Sequence, residues 1–352
     1  MRHKSYIALD LLRAGAAIAV LLTHARGFTW VEYAALPPSQ HTLTVQAFFF
    51  LTRVAHEAVL VFFVLSGALV GGQIIRRTIE GRFSVSDYAI DRVTRIFIPL
   101  IPAYIVAVIV QSFVLHAPPS LASFIANVTG LNGAFAPTIE ADVPLWSLAY
   151  EIWFYVLGGS LALILTKPSA AAFAAMFAAL AVFSVLDATL LLYWTMGALV
   201  VLLKTPARDS RFLAIVGTLL AAIGCITYEL SSGSHSFAQF TFLPGHIPQF
   251  LLCAGVTLTL PFLHSDDVQK RLARLEKPAS FLAGMSYTLY LMHYPTLYVL
   301  SLVMPKSDHI DITSLSFFLL RAGICFLVAR LFYLLFEKNT DAARQWFRRI
   351  RQ

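Results

Sequence analysis

Long apolar stretches, separated by short polar and mostly basic breaks, organise this chain. Apolar windows of about 18 residues or more fall at 6–26, 45–72, 96–116, 145–165, 169–186, 188–203, 212–230, 238–262, 282–303 and 313–336. The fifth and sixth windows are short, and only Asp187 marks the turn between them. The pattern predicts an all-α, polytopic membrane protein with about ten transmembrane helices, read as a single domain over 1–352 with a short tail at about 338–352. No internal repeat is evident, which argues against an inverted-repeat transporter.

Composition agrees. With 58% hydrophobic and 13% charged residues over 352 positions, the chain lacks the polar surface of a water-soluble globule. Its mean hydropathy of +0.74 says the same.

The charges then orient the spans. With the amino terminus placed in the cytoplasm, the inner segments collect Arg2, Lys4, Arg76, Arg77, Arg82, Arg92, Arg95, Lys167, Lys204, Arg208 and Arg211 in the first seven spans. They continue with Lys270, Arg271, Arg274, Lys277, Lys338, Arg344, Arg348, Arg349 and Arg351, whereas the outer segments hold Arg26, Arg53 and Lys306. Such an asymmetry predicts both termini in the cytoplasm and residence in the cell (inner) membrane. The net charge of +7 is then a matter of topology and anionic lipid, with no nucleic-acid partner required.

The first apolar segment holds Arg13 and His24 and lacks a convincing small-residue cleavage site, so it reads as a retained helix. Cys225, Cys253 and Cys325 lie in separate spans without paired spacing, so neither a disulfide framework nor a metal site is expected. Two hydrophilic segments, 76–96 and 116–144, are long enough to carry function, but neither resembles a folded soluble domain. Trp346 and Phe347 among basic residues fit either an interfacial helix or a solvated tail.

Candidate chemistry lies within the spans, where ionisable groups are costly. Asp10, Arg13 and His24 fall in a narrow arc of the first helix, with His24 about 16 Å beyond Arg13 along the axis. Asp10 can pair with Arg13, and His24 can exchange a proton near neutral pH. In the second span, His56 and Glu57 precede Phe62-Phe63-Val64-Leu65-Ser66-Gly67, whose small residues suit helix packing or close approach of a ligand. Glu57 has Arg53 or Arg26 as a partner, or belongs to a site.

Arg92 and Arg95, one turn apart before Pro99, can hold a phosphate or simply anchor a cytoplasmic helix end. Glu151, about a turn inside the fourth span after Trp146-Ser147-Leu148, needs a partner, with Arg13, Arg26 and His24 as candidates. Tyr150 stands next to it in an aromatic belt with Trp146, Trp153 and Tyr155. His293 precedes Pro295 in the ninth span and reads as a site residue or a helix-packing group.

Taken in order, these motifs resemble the acyltransferase 3 family of membrane acyltransferases over almost the whole chain. The matches are Arg13 with His24, the segment 62–67, Arg92 and Arg95 with Pro99, Trp146-Ser147-Leu148 with Glu151 and Phe154-Tyr155, and Ser286-Tyr287 through His293 and Pro295. The resemblance implies transfer of an acyl group, most often acetyl, from cytoplasmic acyl-CoA to a hydroxyl of a cell-surface carbohydrate or lipid-linked sugar. No tightly bound cofactor is implied, and the partners are acyl-CoA, a carbohydrate or glycolipid acceptor and the bilayer.

By the same resemblance His24 is the catalytic histidine. Arg13 and Glu151 orient it or stabilise developing charge, and Arg92 with Arg95 holds the phosphates of coenzyme A. Asp10, Ser66, Tyr150 and His293 line or support the site. The chain departs from the family in lacking the proline often found after the glutamate of Phe336-Glu337-Lys338-Asn339, which leaves Glu337 without a role. No appended extracytoplasmic domain follows, so the protein is expected to act alone or with separate partners. The competing reading is a small-molecule or proton-coupled transporter working through His24 and Glu151.

Overall fold

The computed structural model describes residues 6–203, 207–231 and 245–350, with the side chains of 207–209 left aside. Arg2, Lys4, Lys204 and Arg351, the Arg208 side chain and the first part of the 238–262 window therefore lie outside the described residues.

Helices account for nearly all of the rest. They are α1 (Ile7–Thr29), α2 (Leu43–Leu51), α3 (Ala55–Ser66), α4 (Gly72–Ile79), α5 (Val85–Phe113), α6 (Leu121–Val128), α7 (Trp146–Thr166) and α8 (Ala170–Phe183). There follow α9 (Thr189–Leu199), α10 (Ala207–Ser231), α11 (His246–Leu263), α12 (Asp266–Leu272), α13 (Glu276–Gly284), α14 (Ser286–Ser301), α15 (Ile312–Leu335) and α16 (Thr340–Ile350). Among the described residues there is no β-strand, only two isolated bridges, Trp30 to Ser307 and Asn132 to Ala136.

Each apolar window of the sequence holds a helix, but among the described residues 7 segments are long and apolar enough to cross a bilayer: Ile7–Thr29, Leu43–Ile79, Val85–Phe113, Glu140–Thr166, Ser210–Ser231, His246–Leu263 and Ile312–Ile350. Local chemistry shortens the others. Ser169 caps α8, its Oγ accepting from Ala172 N at 3.3 Å, and the turn at 184–186 closes it after 14 residues. At 1.5 Å per residue, that is about 21 Å, short of the hydrocarbon thickness.

The exposed faces are those of a membrane protein. Ile101, Ile105, Ile109 and Phe113 form an open stripe along α5, as do Phe212, Ile215, Leu219 and Ile223 along α10. Apolar stripes this long would be unstable in water and are at home against lipid.

The chain forms two compact units. The first comprises Met1–Leu65, Leu202–Tyr287 and Leu297–Cys325. In it α1 is fastened at both ends. Ile7 N donates to Gln269 Oε1 at 2.7 Å at one end. At the other, fully buried Arg321 donates to Thr29 Oγ1 at 2.8 Å and to the Met304 carbonyl, while Ser307 N reaches Thr29 O at 2.8 Å. Helices α10 and α11 pack backbone to backbone: a Cβ on Gly255 would lie 2.4 Å from both Ala221 N and Gly217 O. Such proximity is available only to glycine.

The second unit comprises Ser66–Val201, Thr288–Thr296 and Phe326–Gln352. The segment leading into α7 is pinned by side-chain amides. Asn127 Oδ1 accepts from Ile139 N at 3.2 Å and Gln111 Oε1 from Ala141 N at 2.8 Å, so this loop meets its backbone hydrogen-bond demand inside the fold. Helix α5 starts at a Ser84 cap, whose Oγ accepts from Asp87 N at 3.3 Å. Its first turns receive α16, with Arg344 Nε 3.1 Å and Arg348 Nη2 2.8 Å from Asp91. The basic tail is thus a docked helix that leaves Trp346 and Phe347 exposed.

Candidate active site

In the first unit the sequence-derived residues sit on α1. Because α1 is unbroken from Ile7 to Thr29, Asp10, Arg13 and His24 share an arc of about 60° at 100° per residue, and all three are half-buried.

In the second unit several motifs converge. The α3 helix passes at Gly67–Gly71 into a π-helical turn, a widening often associated with function. A Cβ on Gly67 would fall 1.9 Å from Trp194 O, so only glycine lets α9 lie this close. That approach delivers the Trp194 indole to Ser66, with Nε1 donating to Oγ at 3.3 Å. Ser66 Oγ is also 3.0 Å from the Tyr155 hydroxyl, and Tyr155 in turn donates to Glu151 Oε1 in a short contact one helical turn away. Since Tyr155 spends its only proton on Glu151, Ser66 must donate to Tyr155 while accepting from Trp194. The result is a directed relay, Trp194 to Ser66 to Tyr155 to Glu151, in which each bond polarises the next toward the carboxylate.

Arg92 of α5 caps this array, its guanidinium carbon 5.4 Å from the centroid of the Tyr155 ring. Tyr88, one turn earlier, donates to the Tyr155 carbonyl at 2.9 Å. Between α5, α7 and α8 lies a cleft of about 300 Å³ whose walls include Tyr88, Arg92, Ile152, Tyr155, Gly159 and Ala172. Apart from Arg92, the two tyrosines and Ser160 its lining is apolar.

Arg95, though one turn from Arg92, is held elsewhere: its Nη1 lies 2.7 Å from Glu337 Oε1. Glu337, only 2% exposed, also accepts from the backbone N–H and hydroxyl of Thr288. Tyr150 is buried, its hydroxyl accepting from Asp187 N at 3.0 Å. His293 is buried on α14, with Nδ1 2.7 Å from the Tyr290 carbonyl. A carbonyl only accepts, so that nitrogen carries the hydrogen. Tyr290 itself binds Ser147 Oγ at 2.7 Å and the Pro144 carbonyl at 2.6 Å at the start of α7.

The structure therefore joins Ser66, Glu151 and Arg92 through Tyr155, and separates Arg95 from Arg92 by partner. Sequence reading placed Tyr155 in an aromatic belt, did not single out Trp194, and left Glu337 without a role. Tyr155 had a visible signal, the i,i+4 spacing from Glu151. For Trp194 and Glu337, whose partners are distant in sequence, none existed.

The family model described as the acyltransferase domain matches residues 6–334. No protein of curated function and no solved structure gives a significant match.

Proposed function

The chain belongs to the acyltransferase 3 family, and from that premise we propose that it moves an acyl group, acetyl in the first instance, from cytoplasmic acyl-CoA to a hydroxyl of a cell-surface carbohydrate or lipid-linked sugar. It is a multi-pass membrane acyltransferase. The inner-membrane location and cytoplasmic termini are part of the proposal.

In this reading His24 acts as general base. A sugar hydroxyl is a poor nucleophile until its proton is removed as it attacks the thioester carbonyl. The new C–O ester bond forms as the C–S bond breaks, and the proton taken by His24 is returned to the departing coenzyme A thiolate. Arg13 and Glu151 orient the base or balance the charge that develops on it and on the carbonyl oxygen. Arg92 binds a phosphate of the donor, and Arg95 assists from one turn further along α5. Asp10, Ser66, Tyr150 and His293 support these groups.

The observation that carries the proposal is the relay ending at Glu151. Residues from three separate motifs, at 66, 92 and 151–155, meet in one hydrogen-bonded and cation–π array beside a cleft. Unrelated topology anchors would have no reason to meet.

The test is transfer from labelled acetyl-CoA to extracted surface glycans by the full-length protein in nanodiscs. Replacing His24 with Ala should lower the rate by about 10²- to 10⁴-fold without changing the melting temperature. Equal transfer by both proteins would remove His24 from the mechanism.

A further inference from the structure

A second polar cluster, in the first unit, is used by none of the chemistry above. Its floor is four charged side chains. Arg26 of α1 and Glu57 of α3 are each 4% exposed. Arg53, at the break between α2 and α3, lies 3.0 Å through Nε from Glu229 Oε2 of α10. The Glu57 and Glu229 carboxyl groups meet, and Arg26 feels both Arg53 and Glu229. At the rim, half-buried His56 stacks on Tyr228 with ring centroids 5.1 Å apart, and Gln249 of α11 is 3.2 Å from His56 Nε2.

Hydrogen bonding in this floor is incomplete. Neither Glu57 oxygen meets an N–H or hydroxyl donor among the described residues, and the side-chain hydrogen bond open to it is a proton shared with the Glu229 carboxyl group beside it. Arg26 Nε, stacked with its guanidinium 4.7 Å from the Phe49 ring centroid, meets no acceptor. Its nearest carboxylate oxygen is on exposed Glu32, 3.9 Å from Nη1. Three buried ionisable groups, Arg26, Glu57 and Glu229, with half-buried Arg53 beside them, are less stable in an apolar unit than a packed hydrophobic floor, so they argue for a ligand that completes them.

The missing partner must donate to Glu57 and accept from Arg26. A hydroxyl does both. Two arginines repel a cation and two glutamates repel an anion, so the fitting ligand is neutral and rich in hydroxyls. Position agrees, because Arg26 lies two residues past His24, about 3 Å further along α1 and at the end away from the Ile7 to Gln269 contact.

We infer that the cluster around Glu57, Arg26 and Gln249 is a binding site for a neutral carbohydrate, the acceptor of the proposed reaction. The assignment of the ligand as acceptor rests on the acyltransferase reading, whereas the site itself does not.

The experiment is saturation-transfer NMR on the full-length protein in nanodiscs without acyl donor. The probes are methyl α-glucoside, methyl N-acetyl-β-glucosaminide and methyl α-rhamnoside, tested on the parent, E57Q and Q249A. E57Q keeps the shape of the side chain, and Q249A acts at the rim, so each variant can be checked for an unchanged melting temperature. The expected result is saturation of at least one glycoside, weakened about tenfold in both variants and unaffected by inorganic phosphate. No saturation by any probe, which is the outcome for a floor completed by water alone, overturns the site. Equal saturation of parent and variants, as for a glycoside bound elsewhere on the protein, overturns it too. Binding that follows the variants while labelled acetyl-CoA yields no product upholds the site and rejects the proposed acetyl transfer from acetyl-CoA to carbohydrate.

Discussion

Tyr155 is the residue on which the second unit's polar array turns, because one hydroxyl serves Ser66 on one side and Glu151 on the other. Tyr155→Phe keeps the ring beneath Arg92 and deletes only that hydroxyl. The Glu151 carboxylate then loses its donor and the Ser66 proton its acceptor, a defect worth about 1–3 kcal/mol in stability. We expect a lower melting temperature in detergent and acetyl transfer reduced about tenfold or more, as the carboxylate is no longer held in place. Unchanged transfer at a lowered melting temperature would make the relay a packing device. The Glu151 to Tyr155 spacing was legible in the sequence. The direction of the relay was not, since it depends on Trp194, 128 residues from Ser66.

At the scale of elements, the pairing of α5 with the segment before α16 gives Glu337 a role that its sequence neighbourhood did not supply. The family proline is missing after it, yet its carboxylate joins Arg95 to Thr288 at the start of the α14 stretch in this unit. Arg95 keeps 33% of its side chain exposed against 1% for Glu337, so the pair is only partly shielded. A double-mutant cycle of Arg95→Ala and Glu337→Ala should give a coupling of about 1–2 kcal/mol in thermal or denaturant unfolding, between the surface and buried extremes. A value near zero would show that Arg95 is held by other groups. Sequence reading grouped Arg95 with Arg92 because one helical turn separates them. Helical spacing places two residues on a face but is silent on which partner the fold presents to each.

For the whole molecule, hydropathy made the helical, membrane-embedded character legible, because the bilayer imposes a length and polarity that every span must meet. The number of full spans was less legible, since features such as the Ser169 cap and the turn at 184–186 cut apolar runs short without altering their composition. Orientation is testable directly. In a protein with Cys225, Cys253 and Cys325 replaced by Ala, Arg82→Cys should react with a membrane-impermeant maleimide only after permeabilisation of spheroplasts. Lys306→Cys should react in intact ones. The reverse pattern would invert the topology. The docking of α16 on α5 also bears on biosynthesis. Arg348 follows its partner Asp91 by 257 residues. At about 5–20 residues per second, the aspartate waits roughly 10–50 s on the ribosome-bound chain before its arginine is made. Through that interval the first turns of α5 must be sheltered by lipid headgroups, ions or the insertion machinery.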